Sequence, residues 1–320
     1  MFLLLRSFSY IGLLTTVVVA RAFASPAEGK LLPLVPGGVE IVAGIEDPHN
    51  ENSHGRLLLV THNNNVDLND WLALTGVDAH RQVDEVIQVA ASSPRGELRE
   101  HLLLIAGRFD QEHIFNAAEH NGATTNEYQK ETVLVIKPFA REQQQMQDIR
   151  WMAILNHRTA IFGTPWLVSQ SLNRYAAHTA TDTQLTRRLA QLRPDVNSWN
   201  VLAMSSRMLI KHVEPQQVYA PWAHILDGAN ELTIGIHYGS RARLDFAIHT
   251  DSDQQSSHVA DLVAQPHLMQ VSSPLELLPR LENISVEHGH VQGSMSVPGK
   301  QFDAWLEAFY RSRASTPDSR

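Results

Sequence analysis

The chain has no cysteine in 320 residues. This excludes disulfides, thiol nucleophiles, thiolate zinc sites and iron–sulfur clusters, and also lipid attachment through a processed cysteine. Stability must come from apolar burial and hydrogen bonding, which suits a large core better than a small cross-linked scaffold. Catalytic signatures are missing too. There is no Gly-x-Ser-x-Gly elbow, His-Glu-x-x-His pair, Ser-x-x-Lys or Gly-x-x-x-x-Gly-Lys phosphate loop. No catalytic residue, cofactor-binding residue or cofactor is expected from such a pattern. Surplus positive charge is also absent: Lys and Arg number 26 against 34 Asp and Glu, a net charge of −8 at pH 7. Without spare cations a protein gains nothing from counterion release on a phosphate backbone, so no nucleic acid partner is expected.

The chain also lacks an apolar run of the roughly twenty residues that span a bilayer. The nearest approach is residues 10–20, preceded by Arg6 and followed by Ala22-Phe23-Ala24 before Ser25-Pro26. Basic start, short apolar centre and small residues around a cleavage point are the order of a secretory signal. Residues 1–24 are therefore read as a Sec-type signal peptide, with an uncleaved anchor as the alternative. Removing Arg6 and Arg21 takes the net charge from −8 to −10 in a mature chain starting near Ser25. The expectation is a periplasmic or secreted protein with no membrane span after cleavage.

What the chain does have is apolar periodicity, carried by 43% hydrophobic residues. Apolar runs of strand length fall at 39–45, 56–61, 83–90, 101–108, 132–137, 150–155, 159–162 and 199–204. Helix signals fall between them. Asp67 or Asn69 opens a helix stopped by Gly76, Asp110 opens one stopped by Asn121-Gly122, Thr164-Pro165 opens a third, and residues 182–192 form a fourth. The stretch 211–226 has no clear period. Beyond it, strands at 232–238 and 242–249 precede a helix at 253–264. After a short helix around 274–281, strands at 284–287 and 291–297 precede a helix at 301–311. The expected fold is α+β, with two domains of antiparallel sheet and helices packed on one face. The N-terminal domain would span 31–210, a linker 211–226, and a C-terminal ββα-repeat domain 227–311, with a disordered tail at 312–320.

The segment Asp67-Leu-Asn-Asp-Trp-Leu-Ala-Leu-Thr-Gly-Val-Asp78, the run Gln82-Val-Asp-Glu-Val86, the strand exit Ile105-Ala-Gly-Arg-Phe-Asp110 and the helix entry Ile161-Phe-Gly-Thr-Pro165 carry a resemblance. Together they resemble uncharacterised exported proteins of soil bacteria such as acidobacteria, over roughly residues 39–210 and the C-terminal ββα pattern. The resemblance implies export and a fold. It implies no activity, cofactor or site residue.

Histidine is over-represented, at 17 residues. A neutral imidazole binds transition metals and changes charge near pH 6.5. The tightest cluster is Glu287-His288-Gly289-His290. On a continuous strand His288 and His290 would face one side and could share a metal, whereas with Gly289 at a hairpin apex they splay apart, which is the favoured arrangement. The loop from Glu46 to His54 gathers oxygen and nitrogen ligands, making His49 and His54 further metal candidates, although its polarity also suits a solvated connection. In His249-Thr-Asp-Ser-Asp253, Asp251 and Asp253 could pair as carboxylates. Capping of the following helix by an aspartate or by Ser252 demands less. Of the six tryptophans, five sit one per element as core anchors. Trp222, beside Pro221 in the linker, is the candidate partner-binding residue, unless it packs at the domain boundary. The residues favour a non-catalytic binding protein for an unidentified protein or envelope ligand. The alternative is a metal-binding protein or metal-dependent hydrolase using the histidines.

Overall fold

The computed structural model describes residues 29–46, 66–92, 98–137, 139–141, 144–146, 149–203, 228–264 and 281–304, together with Pro26. The expected signal, the loop with His49 and His54, the apolar run at 56–61, the linker with Trp222, most of the helix expected at 274–281 and the tail lie outside the described residues.

The strands are β1 (Ile41–Glu46), β2 (Val83–Ser92), β3 (Leu98–Gly107), β4 (Thr124–Tyr128), β5 (Glu131–Ile136), β6 (Phe139–Arg141) and β7 (Gln144–Met146). They continue with β8 (Arg150–Leu155), β9 (Thr159–Gly163), β10 (Ser198–Leu202), β11 (Ala229–His237), β12 (Arg241–Thr250), β13 (Leu281–Glu287) and β14 (His290–Pro298). The helices are α1 (Val66–Thr75), α2 (Ala79–Gln82), α3 (Gln111–His120), α4 (Pro165–Ala176), α5 (Thr183–Leu189) and α6 (Asp253–Ala264). Twelve strands form one antiparallel sheet in the order β13-β14-β12-β11-β10-β1-β2-β3-β9-β8-β5-β4, while β6 and β7 form a separate pair. The fold is α+β, built on one large antiparallel sheet. β10 and β11 flank the expected linker and are hydrogen-bonded neighbours, in register from Ser198↔Ile236 to Leu202↔Leu232. The sheet therefore runs on from the segment before residue 203 into the segment after residue 228.

In the N-terminal half the strands are apolar on both sides. Leu102 and Leu104 of β3, Ala153 and Leu155 of β8, and Ile161 of β9 meet Leu167, Val168 and Leu172 of α4 and Leu185 and Leu189 of α5. The alternate residues Leu103, Ile105, Met152, Ile154 and Phe162 meet Leu68, Trp71 and Leu74 of α1 and Ile114 and Ala118 of α3. Helices thus cover both faces here, correcting the expectation of one. The physical reason is the unbroken run Leu102-Leu-Leu-Ile105: with a side-chain period of two, four consecutive apolar residues must bury two faces. A 3-10 turn at Leu32–Leu34 is tied to α4 by Ser171 Oγ donating to Leu34 O at 2.8 Å and Arg174 Nε donating to Pro33 O at 2.7 Å.

The C-terminal half differs. Phe246, Ile248 and Val291 pack on Val259, Ala260 and Val263 of α6. Farther along the same face, Phe302 meets Tyr238 edge-on with ring centroids 5.5 Å apart. The opposite face follows the registers Glu231↔His249↔His290↔Glu287, Thr233↔Ala247↔Gln292↔Ser285 and Gly235↔Asp245↔Ser294. It is mainly polar, and among the described residues α5 and the segment after it cover its β10–β11 side and reach β12 through Gln191 at His249.

One packing device appears in both halves. Gly44 pairs with Trp199 across β1 and β10, and a Cβ on Gly44 would lie 2.3 Å from the indole. Gly293 pairs with Phe246 across β14 and β12, and its Cβ would lie 2.4 Å from the ring. In each case an aromatic side chain lies across a cross-strand glycine, covering backbone that glycine leaves bare.

Helix starts follow the sequence closely. Asp110 accepts from His113 N at 3.1 Å, and Asp182 accepts from Gln184 N and Leu185 N at 2.9 and 3.0 Å. Thr164 stands at its N-cap with Pro165 next, but its hydroxyl makes no cap bond. It lies 3.4 Å from His101 O instead. Gly76 ends α1 in the left-handed region at φ 66°, its N–H on Leu72 O.

Candidate functional site

Four strands and one helix bring polar side chains together on the second face of the C-terminal half. Antiparallel pairing places directly opposed residues on the same face, so Glu231, His249, His290 and Glu287 form one row across β11, β12, β14 and β13. The row is joined from above by α5. Leu185 and Leu189 turn into the core, which leaves Arg188 and the nearby Gln191 to reach the sheet.

Arg188 Nε donates to Glu231 Oε2 at 2.7 Å, with both side chains mostly buried. A charge-assisted bond at that distance holds the carboxylate in place and satisfies a charge that would otherwise be costly to bury. The second carboxylate oxygen, Oε1, lies 3.8 Å from His249 Nε2. Gln191 Nε2 is 3.1 Å from the same ring nitrogen, and Gln191 Oε1 is 3.4 Å away. His249 and His290 stack face to face, with centroids 4.1 Å apart and ring planes 7° from parallel. Burial pushes the His290 imidazole below its ordinary value, and His249 pushes the same way. Glu231 and Glu287 oppose them without prevailing. For His290 the neutral ring is therefore favoured.

A second cluster lies farther along the same face. Arg193 Nε donates to Asp195 Oδ1 at 3.0 Å, and Arg243 Nε donates to Asp245 Oδ1 at 2.9 Å. Burial pushes the Asp195 carboxyl up, but the Arg193 hydrogen bond and charge, with help from His237, hold it below its ordinary value.

On the other side of α5 a cleft of about 370 Å³ opens between residues 35–40, β1, α5 and β10. Its charged groups already have partners: Glu40 accepts from Ser92 N at 2.8 Å, Asp182 caps α5, and Arg188 reaches Glu231. These contacts hold the cleft walls together.

The expected site residues are placed as follows. His288 and Gly289 form a two-residue hairpin turn with φ of 43° and 75°, so His288 stands exposed at the apex while His290 begins β14. The turn separates the two imidazoles, and His290 meets His249 instead. Among the described residues no three His, Asp or Glu side chains converge to hold a metal ion. His49, His54 and Trp222 lie outside the described residues. Asp251 and Asp253 do not act as a pair: Asp251 Oδ1 accepts from Asn230 Nδ2 at 2.9 Å, and Ser252 Oγ accepts from Gln255 N at 3.3 Å at the start of α6. Sequence reasoning missed Arg188, Gln191 and Glu231. Only Glu231 carried a signal, since it pairs with His249 at the open end of the β11–β12 hairpin.

No protein-family model matches the chain, and no curated protein matches it. Among solved structures, crystal form I of the treponemal protein TP0453 is similar with a TM-score of 0.43 at 8% identity, covering 87% of this chain and 97% of that one.

Proposed function

We propose that this is an exported, non-catalytic binding protein whose contact surface is the polar face of the C-terminal half of the sheet. The observation that carries the reading is the contrast in covering. The N-terminal half uses both faces for its own core, whereas the C-terminal half spends one face on α6 and presents polar side chains on the other. Exposed Gln292 and Ser285 and half-buried His249 and His290 offer hydrogen-bonding groups on a rigid strand platform, which suits recognition of a polar protein or envelope surface. Export rests on residues 1–24, and kinship with exported acidobacterial proteins rests on the motifs between residues 67 and 165. The finer domain reading, with a ββα-repeat unit after residue 227, belongs to the same proposal.

A photo-crosslinking amino acid at Gln292, on the polar face, and another at Glu112, on the exposed side of α3, test the surface. Incubated with envelope extract, the Gln292 probe should capture a discrete partner and the Glu112 probe should not. Equal capture at both positions, or capture at Glu112 alone, would overturn the assignment of the surface. Export is checked separately, by fusing residues 1–30 to a reporter active only outside the cytoplasm and sequencing the mature N-terminus, which should start near Ser25.

A further inference from the structure

We propose that the His249–His290 stack is a one-proton switch that sets how firmly α5 is seated on the C-terminal half of the sheet. The inference rests on the binding surface proposed above and names its regulation. With both rings neutral, the His249 Nε2 lone pair accepts the Gln191 amide N–H, so α5 is tied to the sheet twice, directly through Arg188 and through Gln191 just past its C-terminal end. A proton on Nε2 turns that acceptor into a donor. The Gln191 amide must then turn over to present Oε1, already 3.4 Å away, or release the ring to Glu231 Oε1 at 3.8 Å, where it competes with Arg188. Either outcome alters the contact between α5 and the sheet.

Only one proton enters. The rings lie 4.1 Å apart, and two imidazolium ions at that separation would repel strongly in a partly buried setting. The geometry singles out His249, whose Nε2 lies 3.4 Å from Gln191 Oε1 and 3.8 Å from Glu231 Oε1. Among the described residues the charged groups facing the pair are Arg188 from α5, Glu231 from β11 and Glu287 from β13. The next along the face, Asp245, is held by Arg243. Acidification therefore changes the row's net charge by one unit, next to the residues proposed to meet the partner.

The test is a histidine ring and glutamine side-chain NMR titration of the full chain between about pH 8 and 5, across the imidazole range. Three results are expected. The Gln191 amide signals move with the His249 midpoint, the His290 midpoint rises in His249→Gln, and the His249 midpoint rises in Gln191→Glu. Amide protection across α5 should fall at least about twofold on acidification in the wild type, after correction for intrinsic exchange, and stay flat in His249→Gln. A His290 midpoint unmoved by His249→Gln, or Gln191 signals that ignore the titration, would sink the switch. Because no partner is present, this titration can fail while the Gln292 crosslink succeeds, or succeed while it fails.

Discussion

The two halves of the sheet solve the same burial problem differently. Between β2 and β9 the strands are sandwiched, with α4 and α5 on one face and α1 and α3 on the other. Between β11 and β14 only the face toward α6 is apolar, and the other carries Glu231, His249, His290 and Glu287. A strand buried on both sides has no spare positions for recognition, because any polar replacement leaves an unpaired group in the core. On the polar face Ser285 and Gln292 are exposed and His249 and His290 half-buried, while Glu231, Thr233, Ala247 and Ser294 are buried, so it is the outer strands β13 and β14 that give most to the surface. The difference teaches where function can be placed at little cost to stability.

The largest expected effect breaks the comparison if it fails. Phe162→Ala empties a fully buried site in the sandwiched half and should cost about 3–5 kcal/mol, whereas Gln292→Ala on the polar face should stay within about 0.5 kcal/mol. Urea unfolding of both variants measures the gap, and similar losses would show that the polar face is core. Next come the glycines beneath aromatics. Gly44→Ala and Gly293→Ala drive a methyl into Trp199 and Phe246, and each should cost about 1–3 kcal/mol. Equal losses would show that both halves depend on this device to the same degree. A smaller pair compares the caps: Asp182→Ala at α5 and Ser252→Ala at α6 should each cost about 1 kcal/mol, read by thermal melts.

The subtlest separation is by pH. The folded His290 value lies below the ordinary 6.5, so its contribution is complete above that value. It is lost as pH falls toward the folded value, because the unfolded chain takes up the proton first. Asp195 lies below its ordinary 3.8, so its contribution is present above that value and lost only as pH falls through the lower folded one. Melting temperatures should therefore soften first between about pH 7 and 5, and a His290→Gln variant should reduce that first loss while leaving the second intact.

Most elements were legible because apolar runs and caps are local signals. β8 and α6 match their expected bounds to the residue, and Asp110 and Gly76 perform the roles their types suggested, whereas Asp182, expected inside its helix, caps it. β4 was missed because Thr124-Thr-Asn-Glu-Tyr128 is a polar edge strand with no apolar alternation to mark it. The second layer of helices was written in the run from Leu102 to Ile105, but a run alone does not say what covers it. The imidazole row was illegible for a deeper reason. Its members come from α5, β11, β12, β13 and β14, and only the registers between those strands align them. Sequence spacing carries no trace of such an alignment. The pair His288 and His290 was conspicuous for its spacing, and the left-handed turn at Gly289 is what parted it.

The placing of β1 also bears on how the chain acquires its fold. β1 lies between β2 and β10, and its pairing of Ile41 with Leu202 reaches across half the chain. Bringing such distant segments together adds only slowly to the entropic cost of closure, but it slows the search. The hairpins β2–β3, β8–β9 and β11–β12 are local and can form early, whereas the β1–β10 seam must wait for a long-range encounter. We expect that encounter to be the slow step joining the two halves, and Trp199, packed over Gly44 at the seam, to report its closing in stopped-flow fluorescence.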